Sequence, residues 1–265
     1  MSTEKSKLNI IFEDDYILAI NKPAGVPVQA THSRKEKTVL DLIDTHYKSR
    51  GYKQYISLIH RLDKGTTGVM LLSKSTLGNK ALTDAFRDKS VQKEYVAIAT
   101  GTLEHASGTI ETAIKKVRGS HTKYECVESG GKHALSRYEL VDKLKGHSLV
   151  RILPETGRTH QIRVHMSHIG HPILGDRLYG GRERLLVKTK SGNIKHFVSA
   201  SAQNIGSKSE PLPGNHLDGG LVDKNVKRVM LHAGSLTIAH PHSKQTLTLK
   251  AELPDDMTEI INILK

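Results

Sequence analysis

Hydrophobic and polar positions fall into short blocks along the chain. Residues 8–12 and 16–20 are apolar runs split by Glu13-Asp14-Asp15, which predicts two short strands and a turn. A Pro/Gly-punctuated loop, residues 21–27, follows. Val39, Leu40, Ile43, His46 and Tyr47 recur at helical spacing, so residues 38–49 read as a helix. Residues 60–68 are polar and glycine-bearing, hence a loop, and run into the apolar strand Val69-Met70-Leu71-Leu72. Ser75 is placed to cap a helix reaching Asp88, with Leu77, Ala81, Leu82, Ala85 and Phe86 on one face. Residues 95–99 alternate as a strand, and residues 135–141 and 148–153 as a strand pair. Thr159 opens a short helix to about Ser167; residues 229–239 and 245–253 close as strands. Asp255 caps a last helix with Met257, Ile260, Ile261 and Leu264 inward. Strands outnumber helices and do not alternate strictly with them, which predicts an α+β fold with a mostly antiparallel sheet.

Residues 181–225 break the pattern. They are rich in Gly, Ser, Lys and Asn, with little periodicity, and are expected to be a flexible insertion within one domain spanning residues 8–265. The stretch is basic, so it is a candidate docking segment as well as a solvated loop.

Charge narrows the class of partner. Lys and Arg number 40 against 27 acids, a formal net charge of +13. That excess points to a polyanion, nucleic acid before an acidic membrane surface. An aromatic content of only 4% argues against a broad platform for stacking single strands. No window approaches the roughly 18 consecutive apolar residues of a membrane span. Residues 1–7 lack the apolar core of a secretion signal, so the cytoplasm is the expected compartment. A lone cysteine, Cys126, excludes an internal disulfide and a cysteine-rich metal site.

Three segments carry candidate chemistry. Leu58-Ile59-His60-Arg61-Leu62-Asp63-Lys64-Gly65-Thr66-Thr67-Gly68 puts a carboxylate in a glycine-flanked loop beside cations, which favour its ionised form. A solvated turn with an ordinary Asp is the alternative. Gln92-Lys93-Glu94-Tyr95-Val96 offers a tyrosine that is either a packing residue or a cleft residue. Glu155-Thr156-Gly157-Arg158-Thr159-His160-Gln161-Ile162-Arg163-Val164-His165 starts a helix with arginines in its first turns, a setting suited to an anion.

Together these segments resemble the RluA-type pseudouridine synthases, which modify ribosomal and transfer RNA. The matching runs are His60-Arg61-Leu62-Asp63, Lys93-x-Tyr95, the Gly157 to His165 block, Asn21-Lys22-Pro23, Gly170-His171-Pro172, Gly175-Asp176, Leu231-His232-Ala233 and His240-Pro241. The resemblance covers nearly the whole chain outside residues 181–225. It implies a bent, mostly antiparallel mixed sheet flanked by helices, with a central cleft, and neither cofactor nor metal. It implies Asp63 as the catalytic aspartate, Arg163 as its partner, Tyr95 against the target base, and Arg61 as an aid in displacing the nucleotide. His60, Arg61, Arg158 and His160 are the expected RNA-binding residues. Many relatives carry a further RNA-binding module ahead of the catalytic pattern; here the pattern begins by about Leu8, and none is expected. Ribosomal RNA is the favoured substrate with transfer RNA close behind, and the protein is expected to be a monomer with no obligate protein partner and no membrane association.

The chemistry fits one carboxylate. Isomerisation breaks the N1–C1′ bond, turns the base and joins C5 to C1′, so no water needs activating. Hydrolysis of a glycosidic bond usually takes two carboxylates. Asp63 could bond C1′, add to C6 or take the C2′ proton. A base within structured RNA must first be flipped out. Rival readings are a metal site built from the many histidines, a non-catalytic RNA-binding protein, and a nucleoside hydrolase. The histidine spacing has no His-Glu-x-x-His and no cysteine partner, which weakens the first.

Overall fold

The computed structural model describes residues 8–30, 36–188 and 221–265. Strands β1 (Ile10–Glu13) and β2 (Ile17–Lys22) form a hairpin, followed by helix α1 (Val39–Lys48) and the two-residue strand β3 (Ser57–Leu58). Next come β4 (Thr67–Ser73), helix α2 (Thr76–Arg87) and β5 (Gln92–Thr100). The hairpin of β6 (Ser107–Lys116) and β7 (Tyr124–Val127) precedes the long pair β8 (Lys132–Leu144) and β9 (His147–Pro154). Helix α3 (Gln161–His168) and a 3-10 turn, Arg177–Tyr179, lead to the paired strands β10 (Arg184–Lys188) and β11 (Leu221–Asn225). Strands β12 (Leu231–Ala239) and β13 (Thr246–Lys250) and helix α4 (Asp255–Leu264) follow.

Eleven of these strands make one sheet in the order β1-β2-β4-β12-β5-β9-β8-β6-β7, with β3 on β4 and β13 on β12. The fold is α+β, and the sheet is antiparallel except where β12 meets β4. That parallel seam is two residues long, His232 beside Thr67 and Ala233 beside Gly68. Gly68 has φ +107°, and a Cβ there would lie 2.2 Å from the Ala233 carbonyl oxygen. No other residue fits that backbone or that approach. His232 locks the seam: Thr67 Oγ1 lies 2.9 Å from its Nδ1 and the Ala251 carbonyl 3.1 Å from its Nε2.

The period of two along β2 and β4 explains the helices on either face. Leu18, Ile20, Met70 and Leu72 pack with Val39, Ile43 and Tyr47 of α1. Ile17, Ala19, Val69 and Leu71 point the other way, to Leu82 of α2. Leu82→Ala would cost about 2–5 kcal/mol by lost transfer energy and a cavity. Both helices start on a cap. Thr38 and Asp41 form a reciprocal capping box on α1, and Ser75 Oγ accepts from the Gly78 N–H on α2. Met257, Ile260, Ile261 and Leu264 of α4 join a larger core with Ile98, Val150 and Ile152. Helix α3 lies over β6 and β8, Val164 against Ile114 and Ala134.

The structure differs from expectation at several points. Leu77 on α2 is 81% exposed; Gly78 and Leu82 face the sheet instead. Helix α3 begins at Gln161 with His160 at its N-cap, one residue after Thr159. Pro254, not Asp255, is the N-cap of α4. Strands β6 and β7 were not anticipated. The stretch 181–225 is not structureless at its ends, which pair as β10 and β11, and residues 189–220 lie outside the described residues.

Candidate active site

Asp63 sits in the loop that delivers the chain into the seam, and that loop is held mainly through its backbone. Lys22, at the end of a strand buried on both faces, is wholly buried itself. Its ammonium donates to the carbonyls of Pro23 (2.9 Å), Lys64 (3.2 Å) and Thr66 (2.9 Å). The Gly25 N–H donates to Lys64 O at 2.8 Å, and Arg228 Nη1 reaches Gly65 O at 3.4 Å. Thr66 N–H closes the turn onto Asp63 O at 3.1 Å. Burial lowers the Lys22 pKa to about 8, although the Asp63 charge opposes the change.

Helix α3 brings the second set of groups. Its sheet-facing residues are anchored by polar contacts. Buried Gln161 accepts from Thr156 Oγ1 (2.6 Å) and the Arg158 N–H (3.0 Å), and donates to Leu135 O (3.0 Å) and Ser136 Oγ (2.9 Å). One turn on, His165 lies between Ser136 Oγ and Thr112 Oγ1, each at 3.1 Å. Arg163, on the other side of the helix, reaches the cleft. Its Nη1 is 3.0 Å from Asp63 Oδ2. Its Nε and Nη2 form a two-pronged pair with Asp176 at 2.7 and 2.8 Å. Its guanidinium carbon lies 5.0 Å from the centre of the Tyr179 ring. Burial alone would disfavour the Arg163 charge, but Asp176 and then Asp63 hold its pKa above the ordinary value. The three side chains differ in exposure: Asp176 1%, Arg163 12%, Asp63 27%. Solvent therefore reaches Asp63 far more than Asp176.

His160 completes the cluster. Its backbone is left-handed, φ 56° and ψ 17°, where an N-cap is ordinarily extended. Such strain costs about 1–3 kcal/mol and persists where surrounding contacts fix the residue. Nδ1 is 2.9 Å from the Tyr179 hydroxyl and Nε2 is 3.8 Å from Asp63 Oδ1. Burial pushes the Tyr179 phenol up to about 12.

The remaining expected site residues are distributed unevenly. Tyr95, on β5 beside β12, bridges the two larger cores. Burial, and after it the charge of Asp63, raise its pKa, so the phenol is neutral and near the carboxylate. Arg61 is exposed and makes no ion pair among the described residues. Arg158 is exposed beside the start of α3, its Nε donating to His133 O at 2.8 Å. His60, expected among the RNA-binding residues, is engaged within the protein. Its ring stacks on Phe86 at 4.8 Å, and Nε2 accepts the Leu71 N–H at 2.9 Å. Burial lowers its pKa to about 3. A neutral ring whose acceptor is used by β4 has a structural role in holding that strand. Two further histidines are bonded within the protein: His240 to Asp14 at 2.8 Å and His171 to Thr100 O at 3.1 Å.

Lys22 and Asp176 stand in the sequence only as members of matching runs, without a role of their own, and Tyr179 has none there either. Two signals were present: a lysine ending the otherwise apolar run Ile17-Leu18-Ala19-Ile20-Asn21-Lys22, and an aspartate after the apolar run Pro172-Ile173-Leu174-Gly175.

Comparison with known proteins gives the family. The profile of the RNA pseudouridylate synthase family matches residues 16–168. A ribosomal large subunit pseudouridine synthase D from Yersinia pestis is 34% identical over 97% of this chain and 71% of its own length. The protein of that name from Haemophilus influenzae is 34% identical over 99% of this chain and 72% of its own. Among solved structures, human RNA Pseudouridylate Synthase Domain Containing 4 superposes with a TM-score of 0.68 at 24% identity, covering 97% of this chain and 92% of that one. Human RNA Pseudouridylate Synthase Domain Containing 1 gives 0.66 at 21%, covering 95% and 86%, and these two likenesses speak for the fold. With the profile spanning more than half of the chain and relatives matching along nearly all of it, this chain belongs to the RNA pseudouridylate synthase family and is an isomerase.

Proposed function

We propose that the enzyme isomerises uridine in ribosomal RNA, using Asp63 as its essential carboxylate. The observation that carries this reading is the part-exposed carboxylate of Asp63 held by Arg163, itself gripped from behind by buried Asp176. Its substrate rests on relatives named as ribosomal large subunit pseudouridine synthases. Asp63 presents one ionised oxygen to a nucleotide turned out of its stack. Unstacking costs a few kcal/mol, which contacts to phosphate and base offset. The N1–C1′ bond breaks, the base rotates within the closed site, and C5 bonds to C1′ as the C5 proton leaves. Attack at C1′, addition to C6 and removal of the C2′ proton all require the same thing of Asp63: a charge, and a fixed direction. Tyr95, neutral beside it, stacks on the base and assists loss of the C5 proton. Arg61, exposed next to Asp63, fills the space that the base leaves.

The tip between β6 and β7 supports an RNA surface on the same side. Lys116, Arg118, His121 and Lys123 are exposed there, and residues 112–124 contain no acid. The tip is tied to the site at Tyr124, whose N–H donates to Tyr179 Oη at 3.0 Å. Phosphates at this tip and at Arg158 orient the RNA.

Pseudouridine mapping of ribosomal and transfer RNA, with and without the gene, tests the function. Loss of one or more ribosomal sites, restored by the wild-type protein, is expected. Loss confined to transfer RNA overturns the substrate, and no loss overturns the reading. Neutralising Lys116, Arg118 and Lys123 together should weaken RNA binding and flatten its dependence on salt, as lost phosphate contacts do.

A further inference from the structure

The polar chain running from Tyr124 to Asp63 fixes where the protons of His160 are. The Tyr179 hydroxyl has one hydrogen. It receives the Tyr124 N–H at 3.0 Å, and its oxygen lies 2.9 Å from His160 Nδ1. Among the described residues Nδ1 is the acceptor within hydrogen-bond distance of the Tyr179 hydroxyl, which favours donation of its hydrogen to that lone pair. Nδ1 is then an acceptor, and the ring hydrogen is on Nε2. That Nε2–H faces Asp63 Oδ1 across 3.8 Å, while Arg163 holds Oδ2 at 3.0 Å. The two carboxylate oxygens therefore have unlike neighbours, a cation on one and a neutral donor on the other.

The backbone supports a dedicated role for the ring. Three non-glycine residues among those described have positive φ. Lys89 and Lys244 are exposed, one just past the end of α2 and the other between β12 and β13, where turns ordinarily use this geometry. His160 alone of the three is half-buried and at a helix start, where left-handed geometry turns the imidazole between Tyr179 and Asp63.

We propose that His160 is a positioning residue that aims Oδ1 of Asp63, and that Tyr179 sets the tautomer that lets it do so. The proposal rests on the pseudouridine synthase reading of this site. A move of about 0.9 Å brings Nε2–H to ordinary hydrogen-bond distance from Oδ1. Such a donor orients the carboxylate without adding a second positive charge that would quench it. Protonation would place a hydrogen on Nδ1 and turn the Tyr179 hydroxyl away from it. The groups facing the ring are Asp63, Arg163, Asp176, Tyr124 and Tyr179. Burial lowers its pKa against the opposing charge of Asp63, with Arg163 lowering it further and Asp176 raising it, and the net direction keeps the ring neutral at neutral pH.

The test joins a spectroscopic and a kinetic arm on the full chain. Nitrogen-15 NMR of the ring should report the Nε2–H tautomer in wild type and a mixture in Tyr179→Phe. His160→Asn keeps a residue tolerant of positive φ but removes the donor near Asp63; His160→Gln restores an amide N–H close to the Nε2 position. With saturating ribosomal RNA, the single-turnover rate should fall at least about tenfold in His160→Asn and recover several-fold in His160→Gln, with RNA affinity held within about twofold. An Nδ1–H ring in the wild type overturns the proposal. So does a variant that loses affinity while keeping its rate, which would make His160 an RNA contact. If wild type forms no pseudouridine in any ribosomal RNA, the functional reading falls, and the NMR result still decides the tautomer.

Discussion

Arg163 holds two aspartates, and the segments that carry them are built in opposite ways. Asp176 is buried and takes two nitrogens of the guanidinium, while Asp63 is part-exposed and takes one. Asp176 is thus an anchor whose oxygens face protein. Asp63 has one oxygen that Arg163 does not hold, which the proposed role reserves for substrate, so its side chain cannot be the thing that fixes it. Order is supplied from below, by Lys22, Gly25 and Arg228 on its loop backbone, and from the front of the segment by His60 under Phe86. A reactive group is held through its neighbours, and a structural group through itself.

That contrast can be broken in order of effect. Asp63→Asn should remove activity by more than about a thousandfold, roughly 4 kcal/mol of barrier, while RNA affinity is retained. Single-turnover kinetics on ribosomal RNA check this, and a loss within about tenfold would refute the assignment. Asp176→Asn should act twice, freeing Arg163 to swing and leaving buried charge uncompensated. We expect about a hundredfold loss of rate together with about 3 kcal/mol of stability, measured by denaturant titration.

Lys22→Met tests whether the loop backbone is what orders Asp63. Three carbonyls lose a donor, so stability should drop by about 2–3 kcal/mol and the rate by about tenfold, with RNA affinity steady. An unchanged rate in a stable variant would show that Asp63 does not depend on this support. His60→Gln gives the smallest effect, read through pH. The folded-state pKa near 3 lies below the ordinary 6.5, so between these values only the unfolded chain takes up the proton. The stabilisation is complete above about pH 6.5 and is lost as pH falls toward 3. Between pH 7.5 and 5 the wild type should lose about 2 kcal/mol that the Gln variant keeps, seen as a smaller change in Tm.

Much of this was legible in the sequence where local rules and packing agree. Helix α1 falls between Thr38 and Ser49 as read, because a capping box and a buried stripe mark the same ends. Residues 17–20 of β2 and 69–72 of β4 are apolar without alternation because helices cover both faces. Strands β6 and β7 escaped notice for the opposite reason. Toward the sheet edge, Ser107-Gly108-Thr109-Ile110-Glu111-Thr112-Ala113-Ile114 buries only Ile110 and Ile114, too few positions to outweigh its polar ones. Leu77 misled because a helix face drawn from apolarity alone included it, while the real contact ridge runs through Gly78 and Leu82. In the site, Asp63 and Arg163 were readable as motif residues. The placing of His60 against Phe86 was not, since it depends on a contact between segments that sequence spacing does not encode.

The position of β12 has a consequence for how the protein comes into being. Strands β4 and β5 follow one another in the chain, yet β12 lies between them in the sheet. As synthesis proceeds, both strands emerge long before the partner that joins them. Until residue 239 has been made, β4 and β5 present open edges, and the Asp63 loop lacks Arg228. The early chain can form the β1–β2 hairpin and its pairing to β4, and separately the antiparallel run from β5 to β9, as two half-sheets. Closing them is an insertion of one strand into a gap, and the cleft is born in that step. The nascent chain therefore lacks its cleft while those two edges stay open to mispairing, and gains the cleft and the closed sheet together.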